Sequence, residues 1–445
     1  MSSVEPERKH RRWTEILEGD RVETLEGVVG SPRDRDLRAV IEGTNNAFLF
    51  NKELLSTHVL FLGSIGSGKT NAMEALFHSL RDKSEPDDVF VVFDTKGDFL
   101  ADFYQDGDAV ITNTPDPGKQ CVTWNIFNDL FETGASRVDE SFELASTIFA
   151  DQLGQAGENF FFAAAARDVL AAVLETMARG EMHRPRSNKE LREQLESTQR
   201  ALYDLLREQP DLAGTASYLV QERLGQSVLA FLQQAVRAAF SGTFRDTGDF
   251  SVRQFVREKQ ARALFVEYDI AKGAVLLPIY RVLLDLAIKE ALSRKHTEGN
   301  VFFLMDEFAL LPELSHLADG INFGRSLGLK FVVATQNVSQ VYSSYGEDIG
   351  TSILSGFGTV FAFRLMDAAS RSFVSERYGR NRKRIIIEHA VRAQGVQDTV
   401  LDGNVIEDWD LSKRKRGETI ASIPDGPPFF FGFKRWSASH GSRET

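Results

Sequence analysis

Two rhythms of apolar and polar positions divide the chain. Short continuous apolar runs recur in both halves: Val59-Leu60-Phe61-Leu62, Val89-Phe90-Val91-Val92-Phe93, Ala263-Leu264-Phe265-Val266, Val301-Phe302-Phe303-Leu304-Met305, Phe331-Val332-Val333-Ala334 and Val360-Phe361-Ala362-Phe363. Runs without polar alternation predict parallel strands covered on both faces. Between them apolar residues fall at helical spacing: Met73, Leu76, Phe77 and Leu80, then Ile279, Val282, Leu283, Leu286 and Ala287. Strand and helix in alternation predict an α/β fold around a mostly parallel central sheet.

The rhythm breaks over 131–256, where no strand run appears. Phe162, Ala165, Ala166, Val169, Leu170, Val173, Leu174 and Met177 make one long helical stripe, and the polar stretch 181–188, with Pro185, reads as a linker between helices. Strands resume only at Ala263, so the block is an all-α domain inserted into the α/β domain; its phenylalanines are expected in the core. The expected division is an N-terminal arm and strand-rich segment over 1–50, a first nucleotide-binding part over 51–130, the all-α insertion over 131–256, and the second nucleotide-binding part with the C-terminal tail over 257–445. Within the first segment, 1–12 reads as a solvated arm and 13–50 as strands broken at turns such as Gly30-Ser31-Pro32. Near the other end, 424–433 is rich in Pro and Phe and reads as a strand or packing arm.

Composition narrows the function. A chain of 445 residues that is 42% hydrophobic can bury a large core. Its longest apolar stretch, 160–174, is interrupted by Arg167 and Asp168, and the charged N-terminus precedes no apolar region, so neither a membrane span nor a secretion signal is expected. One cysteine, Cys121, provides no disulfide framework or zinc cluster and is expected to pack; the location implied is cytoplasmic, with recruitment to the inner face of the membrane by a partner left open. The net charge of −12 argues against a surface coated in cations for nucleic acid, so any DNA contact must be local. Two dense basic runs exist: Arg377, Arg380, Arg382, Lys383 and Arg384; and Lys413, Arg414, Lys415 and Arg416. Each could meet phosphate backbones or form a solvated loop.

The candidate chemistry starts at Gly63-Ser64-Ile65-Gly66-Ser67-Gly68-Lys69-Thr70, between the first strand and its helix. Such a loop turns backbone N–H groups around a phosphate, the helix N-terminus adds partial positive charge, Lys69 reaches the β- and γ-phosphates, and Thr70 offers a hydroxyl to Mg²⁺. Ligands of parallel sheets sit at the carboxyl ends of strands, where this chain places Asp94, Lys96 and Asp98, then Asp306 and Glu307, then Gln336. Asp94, Lys96 and Asp98 either face the nucleotide or cap the next helix. Asp306 would hold Mg²⁺ and Glu307 would polarise the attacking water. Gln336 either senses the γ-phosphate or bonds a loop. Arg325, in the helical stretch 317–327, is a candidate for an arginine given to a neighbouring subunit's nucleotide, with Arg364 and Arg371 as competitors.

These motifs, with Asn159-Phe160-Phe161, Gly324-Arg325-Ser326-Leu327-Gly328 and Ala334-Thr335-Gln336 in order, resemble the type IV coupling proteins of the TraG/TraD class, within the FtsK/HerA-type group of DNA-pumping ATPases. The resemblance covers about 55–375. It implies a RecA-like P-loop domain carrying an all-α domain, assembled as a homo-hexameric ring with ATP and Mg²⁺ at subunit interfaces and DNA, single- or double-stranded, through the centre. It also implies relaxase, secretion-channel or nuclease partners. The N-terminal membrane segment of that class is not seen. Two further functions stay open: a HerA-like motor in DNA processing or antiviral defence, and a nucleotide-gated platform that recruits protein cargo.

Overall fold

A computed structural model describes residues 11–437, apart from 26, 31–35, 116–117, 132–136, 156, 180–185, 271–272, 294–298, 312, 389–395 and 425. The arm before residue 11, most of the expected linker at 181–188 and the polar tail therefore lie outside the described residues. Two compact units result: one built from the chain up to Lys83, Ala334–Glu347 and the chain from Leu354 onward, the other from Ser84–Val333 with Asp348–Ile353.

In the first unit, strands follow the order Glu23–Thr24, Phe429–Gly432, Glu418–Ser422, Thr359–Ala362, Val59–Leu62. Val59–Leu62 runs parallel to Thr359–Ala362, with Phe61 opposite Phe361. Helix Lys69–Asp82 follows the first of these strands after the glycine loop. Met73, Leu76, Phe77 and Leu80 are buried, as their spacing predicts, each contributing about 2 kcal/mol of apolar burial. Gly27–Val29, Asn46–Asn51 and Leu37–Glu42 form a second small sheet, with Asn46–Asn51 central. The stretch 13–50 is thus strand-rich.

A third sheet places Arg380–Glu388 between Arg11–Glu18 and Val396–Asn404, antiparallel to both. The first basic run is therefore a strand and its approach, not a loop. Acids consume much of its charge: Arg384 meets Asp398 of the neighbouring strand at 2.6 Å, and Lys383 meets Glu407, just past that strand, at 2.7 Å. Arg377 donates to the carbonyls of Phe357 and Gly358. Arg380 and Arg382 remain exposed.

The second unit carries five parallel strands in the order Leu329–Thr335, Asn300–Met305, Asp88–Asp94, Arg262–Glu267, Ala109–Ile111, the first of them ending in residues of the first unit. Met305 stands opposite both Phe93 and Val333, so the acidic pair after it leaves the sheet at its carboxyl edge. Among the described residues, every named element between Ala109–Ile111 and Arg262–Glu267 is helical. Helix Phe160–Arg179 runs through this block with Ala165, Ala166, Val169, Leu170, Val173 and Leu174 buried.

Two expectations hold only in part here: Phe149, Phe240, Phe244 and Phe255 are buried as expected, but others are not. Phe160 and Phe161 are 55% and 51% exposed, and Phe142 is 45% exposed, so these phenylalanines are not core. A helix apolar on all sides at its start has more apolar surface than its neighbours can cover; Phe161 leans edge-on against Tyr218 and Phe142 lies under the Arg167 guanidinium. Asn188, read as part of a linker, is fully buried at the start of helix Asn188–Leu195. Its amide donates to the carbonyls of Trp124 and Phe244 and its oxygen accepts from Ile126 N–H, stapling distant pieces of the block.

Candidate nucleotide-binding site

Within the first unit, the loop begins where two neighbouring strands end. Gly63 N–H donates to the Thr335 carbonyl at 3.1 Å and Ser64 N–H donates to the Arg364 carbonyl at 2.9 Å. Both bonds hold the loop open from its base. A Cβ on Gly63 would stand 2.6 Å from Phe363 Cβ and 2.8 Å from Ser67 Oγ, so only glycine fits. Gly66 and Gly68 have φ of +71° and +111°, conformations that L side chains adopt at a cost of roughly 1–2 kcal/mol. Gly68 also packs on a turn far along the chain: Gly417 N–H donates to the Ser67 carbonyl at 2.8 Å.

The cradle fits a phosphate. Lys69 opens the helix, is 9% exposed, and its Nζ reaches back to donate to the Gly63 carbonyl at 2.6 Å and the Ser64 carbonyl at 3.4 Å. A buried ammonium at the mouth of a helix N-terminus, encircled by backbone, is a site for anionic oxygen. Thr70, half-buried, follows on the first turn. Ile65 is 77% exposed at the loop tip, so it contributes backbone only. Gln336 follows Thr335, whose carbonyl holds Gly63, and its side chain is half-buried.

Within the second unit, Asp306 and Glu307 are buried at the end of Asn300–Met305. Lys96, half exposed, places its Nζ 3.4 Å from Asp306 Oδ2. Asp94 is committed to local structure: Oδ1 accepts from Lys96 and Gly97 N–H, and Oδ2 accepts from Leu100 N–H on helix Asp98–Phe103. Burial pushes its carboxyl up, three backbone N–H groups pull it back, and the Asp306 charge adds to the rise. Capping describes Asp94, whereas Lys96 faces the acidic strand end. Asp98 lies in the first turn of that short helix. Among the described residues no group of three or more His, Cys, Asp or Glu could hold a metal by itself.

Of the three arginines, Arg371 is occupied, 3.2 Å from Asp408 and donating to the Met366 carbonyl. Arg364 is half-buried, its carbonyl on the loop. Arg325 is exposed on the short turn Gly324–Leu327. Sequence reasoning missed the frame of the loop, since Thr335, Arg364 and Gly417 act through backbone atoms that leave no residue-type signal.

The sequence matches the family described as type IV secretion-system coupling protein DNA-binding domain over residues 47–404. Among solved structures, the unbound bacterial conjugative coupling protein TrwBdeltaN70 is similar with a TM-score of 0.75 at 18% identity, covering 95% of this chain and 94% of that one. Plasmid coupling protein TrwB in complex with ADP and Mg²⁺ aligns with a TM-score of 0.73 at 18% identity, over 97% and 96% of the two chains. VirB4 of Thermoanaerobacter pseudethanolicus aligns with a TM-score of 0.56 at 13% identity, over 93% and 100%. No curated protein sequence matches. The fold is therefore the expected RecA-like α/β P-loop fold, and among the described residues no helix is long and apolar enough to cross a membrane.

Proposed function

Because the chain belongs to the type IV secretion-system coupling protein family, we propose that it is an ATP-driven DNA translocase, hydrolysing ATP at subunit interfaces of a homo-hexameric ring to move DNA or a DNA–protein substrate. The observation that carries the reading is the glycine loop with the buried Lys69 ammonium at its centre, in a chain that matches this family over 47–404. The loop N–H groups of 63–70 bind the phosphates, and Lys69 exchanges the Gly63 carbonyl for phosphate oxygen. Thr70 would offer its hydroxyl and Asp306 its carboxylate to Mg²⁺, which would supply positive charge against that developing on the transferred phosphoryl group. Glu307 orients and deprotonates the attacking water, and Gln336 contacts the γ-phosphate. Arg325, exposed on its turn, reaches a neighbouring subunit's nucleotide. Relaxase, secretion-channel or nuclease partners belong to the same reading.

Steady-state hydrolysis and equilibrium ATP binding of three variants test it. Glu307→Gln keeps ATP binding and loses turnover by roughly 10²-fold or more, whereas Lys69→Ala weakens both. Mixing Arg325→Ala with Glu307→Gln protein restores part of the turnover where mixed rings form. Normal hydrolysis by Glu307→Gln, or no recovery in mixed rings, removes the corresponding role.

A further inference from the structure

One basic run is left over by the fold. In the run Lys413, Arg414, Lys415, Arg416, Arg414 is used locally: its Nε donates to the Asp410 carbonyl at 2.7 Å and its guanidinium lies 4.7 Å from the Phe430 ring centre. Arg416 instead lines a cavity of about 330 Å³ together with Gly68, Asn71, Gly417, Phe433 and Arg435. All six belong to the first unit. The cavity thus starts at the phosphate loop and extends along the first turn of helix Lys69–Asp82.

Its walls are fixed and its cations are not. Gly417 is bonded to the loop through the Ser67 carbonyl, and Phe433 N–H donates to the Gly417 carbonyl at 2.9 Å. Asn71 brackets Arg435: its Nδ2 donates to the Lys434 carbonyl at 2.9 Å and its Oδ1 accepts from Trp436 N–H at 2.8 Å. Lys434 next door is paired with Glu42 at 2.9 Å. By contrast, among the described residues neither Arg416 nor Arg435 has an ion pair, hydrogen bond or ring partner, and none of the six lining residues is acidic.

We propose that Arg416 and Arg435 hold the nucleoside of the bound nucleotide in this cavity. The proposal rests on the reading of 63–70 as the phosphate site. Phosphate oxygens are taken by loop N–H groups and Lys69, so what remains of a nucleotide outside the loop is ribose and base. Planar guanidinium groups suit both, stacking on a base face and donating to ribose oxygens. The volume lies at the small end of ligand pockets and accommodates a nucleoside. Asn71, its amide spent on the backbone at both ends, positions Arg435 and takes no part in reading the base.

Calorimetric titration of the full chain with ATP and with inorganic tripolyphosphate, which has no nucleoside, tests the assignment. Arg416→Ala and Arg435→Ala are each expected to weaken ATP about tenfold and to leave tripolyphosphate within about twofold of wild type. Arg416→Lys and Arg435→Lys keep charge but lose the planar group, and are expected to stay impaired for ATP. Both arginines are exposed, so circular dichroism of the variants should match wild type. Wild-type ATP affinity in the alanine variants overturns the proposal, and so does equal weakening of both ligands, which would make the arginines phosphate contacts. Loss of DNA binding with ATP affinity intact would assign them to nucleic acid instead. Lys69→Ala separates the underlying reading: it should weaken both ligands, and if it weakens neither, the phosphate site itself is misassigned.

Discussion

Replacing Asp129 by alanine should loosen the closure of the all-helical block more than any surface change there. Asp129 is fully buried on helix Ile126–Phe131, and its carboxylate receives Trp124 Nε1, Ser251 Oγ at 2.7 Å, Arg253 N–H at 2.8 Å and Val252 N–H at 3.3 Å. It therefore ties the entrance of the block to the first turn of helix Val252–Glu258 at its exit. Burial pushes the Asp129 carboxyl up, against the bonds from Arg253, Trp124 and Ser251, so removing the charge recovers some desolvation energy. Three well-made donors nevertheless lose their acceptor in a place water does not reach. At about 1–2 kcal/mol for each stranded donor, less that recovery, the net loss is about 4 kcal/mol. Amide hydrogen exchange of Val252, Arg253 and the helix they open should quicken by about 10³-fold if local opening governs exchange. Asp129→Asn keeps one acceptor oxygen and should show about half the loss in free energy. Unchanged exchange in Asp129→Ala would refute the view that this carboxylate holds the two ends together.

Two further expectations concern the second unit's ionic pairs and the loop. Burial pushes the Glu143 carboxyl up, but hydrogen bonds from His316 and Lys289 outweigh it and lower it from 4.5 to about 2, while the bond to Glu143 raises His316 above 6.5 against burial. The Glu143 contribution is present above about 4.5 and fades as pH falls toward 2; the His316 contribution is full below about 6.5 and fades as pH rises through its raised value. Both side chains are partly exposed, so the effect is about 1 kcal/mol or less. Thermal melts at pH 6 and pH 9 should show a loss in wild type that His316→Gln lacks, and equal pH dependence in both would count against the pair. Gly63→Ala forces its Cβ to within 3 Å of Phe363 Cβ and Ser67 Oγ and should cut ATP affinity about tenfold or more by calorimetry; wild-type affinity would show that the loop yields.

Local signals were the legible ones. Val59-Leu60-Phe61-Leu62, the glycine loop and the spacing of Met73, Leu76, Phe77 and Leu80 specify strand, loop and helix from neighbours in sequence, and the structure forms Val59–Leu62 and Lys69–Asp82 there. The acidic end of Asn300–Met305 was legible for the same reason, because a buried run must end where polar residues begin. What escaped depends on partners far away in the chain. Asn188 looks like any linker asparagine until Trp124 and Phe244 are brought to it. Lys383 and Arg384 read as part of a basic run because Asp398, on the paired strand, and Glu407, just beyond it, reach them only in the fold. Phe160 and Phe161 read as core from their apolar side chains alone, yet burial depends on whether neighbouring helices can cover every face. Arg416 and Arg435 converge beside Gly68 only through the folded C-terminal strands.

The central claim, that ATP turnover drives DNA movement in a ring, is tested most directly by steady-state ATPase activity with and without single- and double-stranded DNA, with oligomer size followed in the same samples. Strong stimulation by DNA together with a hexamer-sized species is the result expected. Turnover indifferent to DNA, from a monomer or small oligomer, would contradict the translocase and favour a nucleotide-gated platform for protein cargo.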